Sequence, residues 1–208
     1  MIRSLREVDP RAVLIELPEE KKRLGVMLSG GADSALLLYM IAKEQFLHNT
    51  DHDIIPLTIA RSDGAVLYSP GIVNYVNKFF GMNIPQPVQI GKPDLPHKDV
   101  VRLGVVAAFA KHKLDYVYLG ETQLPPDPVL GVYPVRSQQS PHQQVILPFV
   151  GLYKTHVIDM YYTLRQEELL KLTHSCTERT IWRCDECFNC SERAWAFNKL
   201  NRTDPGSN

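Results

Sequence analysis

The sequence has no cysteine outside one short stretch, no excess of charge of either sign and no long apolar run. Its 208 residues include 23 Lys plus Arg and 23 Asp plus Glu, so the formal net charge is zero. Such a chain lacks the basic surface of a protein that holds a long nucleic acid, which argues against a nucleic-acid partner and favours a small-molecule substrate. No window approaches the roughly 20 apolar residues of a membrane span, and the first residues lack the apolar stretch of a secretory signal. We therefore predict a cytoplasmic protein with no membrane partner.

Short apolar runs alternate with helical stretches along most of the chain. Pro56 lies inside the second apolar run, which indicates a strand in an edge or irregular position. The alternation predicts an α/β fold with a doubly wound, mostly parallel sheet. Strands are predicted at 24–28, 53–59, 85–90, 116–119 and 145–149, and helices at 35–46, 71–80, 99–112, 155–164 and 166–172.

Four segments are expected along the chain. An N-terminal extension, 1–23, is predicted to contain a short helix, and the α/β domain covers 24–172. A small C-terminal helical module follows at 173–200, and a tail at 201–208 is predicted to be disordered. Within the domain, 121–144 is rich in Pro, Gln and Ser, which is typical of a long functional loop or lid.

A glycine-rich turn, Ser29-Gly30-Gly31-Ala32-Asp33-Ser34, joins the first predicted strand to the first helix. A turn of this kind aims backbone N–H groups at an anion, and glycine lets phosphate oxygens approach closely. Asp33 would repel a phosphate unless a divalent cation lay between them, so it is a candidate Mg²⁺ ligand. The alternative is that the segment only turns the chain and Asp33 caps the helix. The turn lacks the Lys of a Walker loop and the third Gly of a dinucleotide fingerprint, so neither of those common phosphate loops fits.

The cysteines form a second motif near the C-terminus. They are spaced as C-x₇-C-x₂-C-x₂-C and supply four thiolates, which is the complete shell of a closed, structural Zn²⁺ site. An iron–sulfur cluster also takes four thiolates, and two disulfides would use the same residues, although a reducing cytosol disfavours them. We predict zinc that holds the chain end onto the body of the protein, with the ligands Cys176, Cys184, Cys187 and Cys190.

The turn at 29–34 resembles the S-G-G-x-D-S signature of the PP-loop ATP pyrophosphatases, whose fold is the adenine nucleotide alpha hydrolase-like one. Together with the cysteine spacing it resembles the 7-cyano-7-deazaguanine synthase branch of that superfamily. Three shorter segments are also similar to that branch: Thr173-His174-Ser175-Cys176, Ser191-Glu192-Arg193, and Pro148 followed by Lys154.

The resemblance implies an ATP site. Asp33 and Lys154 are then the catalytic residues, with Asp33 on Mg²⁺ and Lys154 on the phosphates. Lys98 stands where the family has an Arg, and Gly120 and Thr122 end the fourth strand near the nucleotide. The implied contacts to ATP are Ser29, Gly30, Gly31, Ala32, Asp33, Ser34, Thr58, Lys98, Gly120 and Thr122.

The implied reaction is that of an ATP-dependent ligase. It adenylylates a carboxylate, with 7-carboxy-7-deazaguanine and ammonia as the expected substrates, and releases pyrophosphate and AMP on the way to 7-cyano-7-deazaguanine. The chain departs from the family at 59–64 and 133–136, where the substrate-reading residues differ. Another base, a tRNA or a protein terminus therefore stays open as the substrate, as does a non-catalytic, zinc-stabilised nucleotide-binding module. A homodimer through apolar helix faces is a further expectation.

Overall fold

A five-stranded parallel sheet forms the centre of the part of the chain that the computed structural model describes, residues 15–59, 64–91, 97–126 and 142–206. The strands lie in the order β3-β2-β1-β4-β5, and every pairing is parallel. Their bounds are β1 Arg23–Met27, β2 Asp53–Thr58, β3 Val88–Gln89, β4 Tyr116–Tyr118 and β5 Val145–Ile146.

Six α-helices accompany the sheet in the described part of the chain. The sheet starts in its middle with β1, grows outward through β2 to β3, and then continues on the other side through β4 to β5. This is the doubly wound α/β fold that the sequence predicts. The helices are α1 Ala32–His48, α2 Ser69–Phe80, α3 His97–His112, α4 Lys154–Thr163, α5 Glu167–Lys171 and α6 Phe188–Lys199, with a short 3₁₀ helix at Ala65–Tyr68.

Successive side chains of a strand point to opposite faces of the sheet, and each face has its own hydrophobic core. Leu24 and Val26 of β1 pack into a large core with α1, α2, α4, α5 and α6. Between them, Gly25 faces the smaller core with α3, where a Cβ atom would lie 2.9 Å from Leu114. Helix α1 lies in the large core and is buried almost continuously through its first three turns.

The position of Pro56 differs from the prediction, because β2 is an interior strand and not an edge strand. The carbonyl of Leu57 accepts a hydrogen bond from the Leu28 amide of the β1 side, and the carbonyl of Thr58 accepts one from Ile90 of the β3 side. Residues two apart in a strand direct their backbone groups to the same side, so the nitrogen of Pro56, like the carbonyl of Thr58, faces β3. Pairing with β3 starts only at Leu57, and the missing N–H of Pro56 therefore breaks no ladder bond.

Several predicted elements are shorter or different in the structure. The third strand is confined to Val88–Gln89, because Pro85 and Pro87 before it cannot donate to a ladder. The fifth strand ends at Ile146. Residues 15–20 of the predicted N-terminal helix are not helical, and its residues 3–14 lie outside the described part of the chain, as does 127–141 of the predicted lid.

The tail that the sequence predicts to be disordered is packed against the protein as far as the structure describes it, to residue 206. Asp204 is mostly buried and pairs with Arg183 and Arg193. Among the described residues, no helix combines the length and the apolar character needed to cross a membrane.

Candidate functional site

Residues 29–34, the phosphate loop, connect β1 to α1 in a shape that its own hydrogen bonds maintain. Gly30 has φ 87°, a left-handed conformation that favours glycine. The Ser34 hydroxyl donates to the Gly31 carbonyl over 3.1 Å and accepts from the Ser29 amide over 3.2 Å. The Ser29 hydroxyl in turn accepts from the Gly31 amide over 3.3 Å. Both serines of the motif thus shape the loop around the glycines.

The loop leads directly into the N-terminus of α1, with Ala32 as the first helical residue. The first amide groups of a helix have no partners within it, and they carry the positive end of the helix dipole. An anion held by the loop would therefore meet these N–H groups. The Ala32 carbonyl accepts a bond of 2.6 Å from the hydroxyl of Tyr161, whose complete burial raises its pKa well above the ordinary value. This neutral phenol ties α4 to the first turn of α1.

Gly120 lies against the same turn of α1 from the end of β4. A Cβ atom at this position would stand 3.0 Å from the carbonyl carbon and oxygen of Asp33 and 3.2 Å from the Ser34 amide nitrogen. Because these are backbone atoms, no side chain larger than hydrogen fits without moving the loop. Thr122, two residues further, is buried.

A buried cluster of charges surrounds the side chain of Asp33. One of its carboxylate oxygens contacts the ammonium group of Lys154, the first residue of α4. The same ammonium group lies 3.6 Å from a carboxylate oxygen of Glu192, which is 1% exposed. The other oxygen of Asp33 is buried and has no hydrogen-bond partner in the part of the chain that the structure describes. An unpaired carboxylate oxygen is a ligand that Mg²⁺ accepts, so this side of Asp33 suits a cation.

His156 fixes the start of α4 and so the position of Lys154. Its Nδ1 atom accepts a 2.9 Å hydrogen bond from the Tyr153 amide, so the neutral ring carries its proton on Nε2. Burial lowers the pKa of His156, which keeps the ring uncharged beside Lys154. His156 therefore caps the start of α4.

The four cysteines come together as the sequence predicts, and no disulfide joins them. Their sulfur atoms all lie within 4.8 Å of one another, and those of Cys184 and Cys190 are 4.0 Å apart. Four thiolates on one tetrahedral ion at about 2.3 Å would be about 3.8 Å apart. A four-iron cluster puts each thiolate on a different iron and spreads the sulfurs further. The group therefore has the size for a single metal ion.

Hydrogen bonds also prepare these thiols for a metal. The Cys184 sulfur accepts from the amides of Cys187 and Glu186 over 3.2 and 3.4 Å. Burial acts to raise the pKa of Cys187, but hydrogen bonds with Thr177 outweigh it and lower the pKa to about 6. Burial and the bond with Cys187 raise the pKa of Cys190. The group thus favours one thiolate before a metal binds, which is the form that coordinates.

Residues 173–187 and α6, here called the thiolate module, are held together by Arg193. This buried side chain donates to Thr173 over 2.7 Å, to Ser175 over 3.2 Å and to Asp204 over 2.6 and 2.9 Å. Burial alone would raise the pKa of Asp204, but the hydrogen bonds and charge of Arg193 hold it below its usual range. Arg193 thus joins α6, the segment before Cys176 and the tail.

His174 connects the thiolate module to the phosphate loop. Its amide donates to the Gly30 carbonyl over 2.9 Å, and its ring stacks on Tyr68 with centroids 4.5 Å apart. Its Nε2 atom lies 2.7 Å from the Arg179 carbonyl, and because a carbonyl only accepts, Nε2 carries the proton. The segment just before Cys176 therefore contacts the phosphate loop directly.

The structure brings some of the predicted site residues together and leaves others apart. The loop, Gly120 and Lys154 converge on Asp33. Thr58 is buried at the carboxyl end of β2, and its hydroxyl has no partner among the described residues. Lys98 lies in α3, but its side chain is outside the described part. Sequence reasoning gave Glu192 no role, although its place two residues after the last cysteine was a usable signal.

Comparisons with known proteins add a fold likeness only. No protein-family model matches the chain, and no curated protein matches it. Among solved structures, the chain is similar to the U34-tRNA thiolase NcsA from Methanococcus maripaludis with its [4Fe-4S] cluster. The two share 13% sequence identity with a TM-score of 0.49, over 95% of this chain and 74% of that one. The chemistry of the site therefore rests on the residues of this chain.

Proposed function

We propose that this chain is an ATP-dependent enzyme that cleaves ATP to AMP and pyrophosphate in order to activate a small substrate. The observation that carries the proposal is the surroundings of Asp33. A carboxylate with one buried, unpaired oxygen lies in the first turn of a helix, behind a two-glycine cradle and beside a buried lysine. A helix start that only turned the chain would need neither the second carboxylate nor the lysine.

Each group in this site has a part in the proposed reaction. The loop amides and the N-terminus of α1 would hold phosphate oxygens, and Asp33 would hold Mg²⁺, which would neutralise phosphate charge. Lys154 offers a second positive charge next to the leaving pyrophosphate. A carboxylate oxygen of the substrate attacks the α-phosphorus while the bond from the α-phosphorus to the bridging oxygen of the β-phosphate breaks. The products are an acyl-adenylate and pyrophosphate.

The substrate we propose is 7-carboxy-7-deazaguanine, with ammonia as the second reactant. Ammonia attacks the acyl carbon of the adenylate, and AMP leaves. The oxygen of the resulting amide then attacks the α-phosphorus of a second ATP and displaces pyrophosphate, and departure of AMP with that oxygen, together with loss of the amide protons, gives the nitrile. Support for this substrate comes from the motif spacing shared with the 7-cyano-7-deazaguanine synthases. The altered residues at 59–64 and 133–136 make the substrate the first thing to test, and 60–63 and 133–136 lie outside the described part.

We further propose that the four thiolates bind Zn²⁺. A closed shell of four sulfurs leaves no open position on the metal, so its contribution is to hold the thiolate module in place. Metal analysis of the purified protein should find one zinc per chain and no iron. Iron with acid-labile sulfide would replace this part of the proposal by an iron–sulfur cluster and leave the ATP chemistry untouched.

The experiment for the reaction is an incubation of zinc-loaded protein with Mg·ATP, ammonium and 7-carboxy-7-deazaguanine. AMP, pyrophosphate and the purine are followed by mass spectrometry. AMP with a nitrile product supports the whole proposal. AMP that forms only with another carboxylate, or only with RNA, retains the ATP chemistry and rules out this substrate. Folded, metal-loaded protein that forms no AMP with any of them contradicts the proposed function.

A pair of matched variants ties the activity to the site. Asp33→Asn should reduce AMP formation by at least about 100-fold, since it removes the negative charge that would hold Mg²⁺ at the reacting phosphates. Asp51→Asn makes the same chemical change at an exposed position on the opposite edge of the sheet and should leave the rate unchanged. Equal rates in the two variants would show that Asp33 takes no part.

A further inference from the structure

Two separate connections run from the cysteine group to the phosphate loop. The first is α6: Cys187 caps its N-terminus, Cys190 lies in its first turn, and Glu192 follows two residues later and reaches Lys154. The second is the segment just before Cys176, where the His174 amide donates a hydrogen bond to the Gly30 carbonyl. A metal on the cysteines therefore sets the position of groups on two sides of the loop.

The charges around Lys154 give Glu192 a specific task. Lys154 contacts Asp33 directly and stands 3.6 Å from Glu192. A divalent cation on the unpaired oxygen of Asp33 would be repelled by an ammonium group on the other oxygen, so cation binding favours the release of Lys154 from Asp33. A buried ammonium group that loses its partner is costly unless a second carboxylate is close by. Glu192 is that carboxylate, and its burial on α6 keeps it within reach.

We propose that Glu192 is the positioning residue that draws Lys154 away from Asp33, and that metal binding at the cysteines and nucleotide binding at the phosphate loop therefore strengthen each other. This inference rests on the proposed nucleotide site and adds a regulation to it. The cysteine group then does more than hold the chain end in place, because it also affects how strongly Asp33 can bind a cation. Coupling between two binding equilibria is reciprocal, so each ligand raises the affinity of the other by the same factor.

The first measurement is the affinity of metal-loaded protein for Mg²⁺ with α,β-methylene-ATP, a non-cleavable analogue, by titration calorimetry. Glu192→Gln keeps the size of the side chain and removes its charge. We expect it to weaken nucleotide binding roughly tenfold. Glu168→Gln, the same change at a position whose side chain is 70% exposed on α5, should bind as the wild type does. Thermal melting of both variants, with zinc bound, shows whether the fold is intact.

The second measurement uses the wild-type protein and detects coupling without any substitution. Zinc affinity is determined by competition with a chromophoric chelator, with and without the saturating analogue. The analogue should tighten zinc binding by roughly the factor lost in Glu192→Gln. In Glu192→Gln this factor should fall towards one while zinc affinity without nucleotide stays the same. If Glu192 only stabilised the fold, its substitution would change zinc affinity both with and without the analogue.

The outcomes separate this inference from the proposed function. A metal-loaded wild-type protein that binds no nucleotide overturns both. Nucleotide binding that Glu192→Gln leaves unchanged, or zinc affinity that ignores the nucleotide in the wild type, overturns the coupling alone. Should Glu192→Gln fail to fold, the wild-type zinc measurement still decides the question.

Discussion

The two edges of the sheet both carry buried polar atoms without partners in the described part of the chain, yet only one of them has the features of a reactive site. At the carboxyl edge these atoms include an oxygen of Asp33 and the hydroxyl of Thr58. At the amino edge they include the hydroxyl of Thr50 and, around a cavity of about 610 Å³, side-chain atoms of Gln45, His52 and His112.

The difference lies in charge and in helix direction. At the carboxyl edge a carboxylate, a lysine and a helix N-terminus meet, whereas at the amino edge α1 and α3 end and present the negative end of their dipoles. His52 accepts from the Lys22 amide through Nδ1, so its unpaired Nε2 is a neutral donor. Unsatisfied polar atoms do not by themselves define a site. In a parallel sheet the loops that follow the strands lie at the carboxyl edge. The charged side chains of Asp33 and Lys154 meet at this edge.

The sharpest test of this comparison makes one substitution at each edge. Lys154→Met removes the ammonium group that Asp33 and the buried Glu192 share, and it should lower the free energy of unfolding by about 4 kcal/mol. Lys21→Met removes an exposed partner of Asp51 and should cause no measurable change. Urea denaturation of both variants, without added Mg²⁺, gives the two values. Similar losses would mean that the buried cluster is no more sensitive than a surface pair.

A second prediction concerns the joint of the thiolate module. Arg193→Lys keeps the charge but loses the forked geometry that reaches Thr173, Ser175 and Asp204 together, so it should destabilise the protein by about 2 kcal/mol. Arg202→Lys, at a half-exposed side chain over the ring of Tyr162, serves as the control. Denaturation midpoints that agree for both variants would contradict the role given to Arg193.

A third prediction concerns the tight approach of Gly120 to α1. Gly120→Ala forces the backbone of Asp33 and Ser34 to shift and should weaken nucleotide binding by roughly tenfold, or about 1.4 kcal/mol. Gly151→Ala adds the same methyl group where no heavy atom lies within 4 Å. Calorimetric titration of both with the ATP analogue measures the difference. An unaffected Gly120→Ala protein would show that the loop does not need this approach.

The smallest expected effect belongs to the amino edge. Burial lowers the pKa of His52, so the unfolded chain binds a proton more readily than the folded one. Stability from this group is complete above the ordinary pKa of about 6.5 and is lost as the pH falls from there through the lowered folded value. His52→Asn, which retains an acceptor for the Lys22 amide, should flatten the decline between pH 7 and pH 5. Wild-type and variant curves that run parallel would disprove the assignment.

Contiguous patterns account for what the sequence could predict. The cysteine spacing is local, and each predicted strand and helix contains most of its own signal, so the fold class and the meeting of the four cysteines followed from short stretches. The edge position predicted from Pro56 was wrong, because a proline is tolerated in an interior strand when its nitrogen faces a side on which no hydrogen bond is made. That side is set by the register with β3, which no local pattern contains.

Contacts between distant segments explain what the sequence could not predict. Glu192 and Arg193 follow the last cysteine closely in the sequence, but their contacts with Lys154, Thr173 and Asp204 become visible only in the structure. The tail looked polar and therefore disordered, but a single buried carboxylate anchors it. Charges are buried when partners exist, and the partners of these residues come from other elements of the fold.

The bond from the His174 amide to the Gly30 carbonyl has a consequence for synthesis on the ribosome. The loop leaves the ribosome early, because chains emerge N-terminal end first, while His174 and Glu192 follow only after the whole sheet has been made. A nascent chain thus has the 29–34 turn before the segments that contact it, and under the proposed function it would not bind and cleave nucleotide until α6 has folded. Folding of α6, the last helix, would therefore be required before the proposed activity begins.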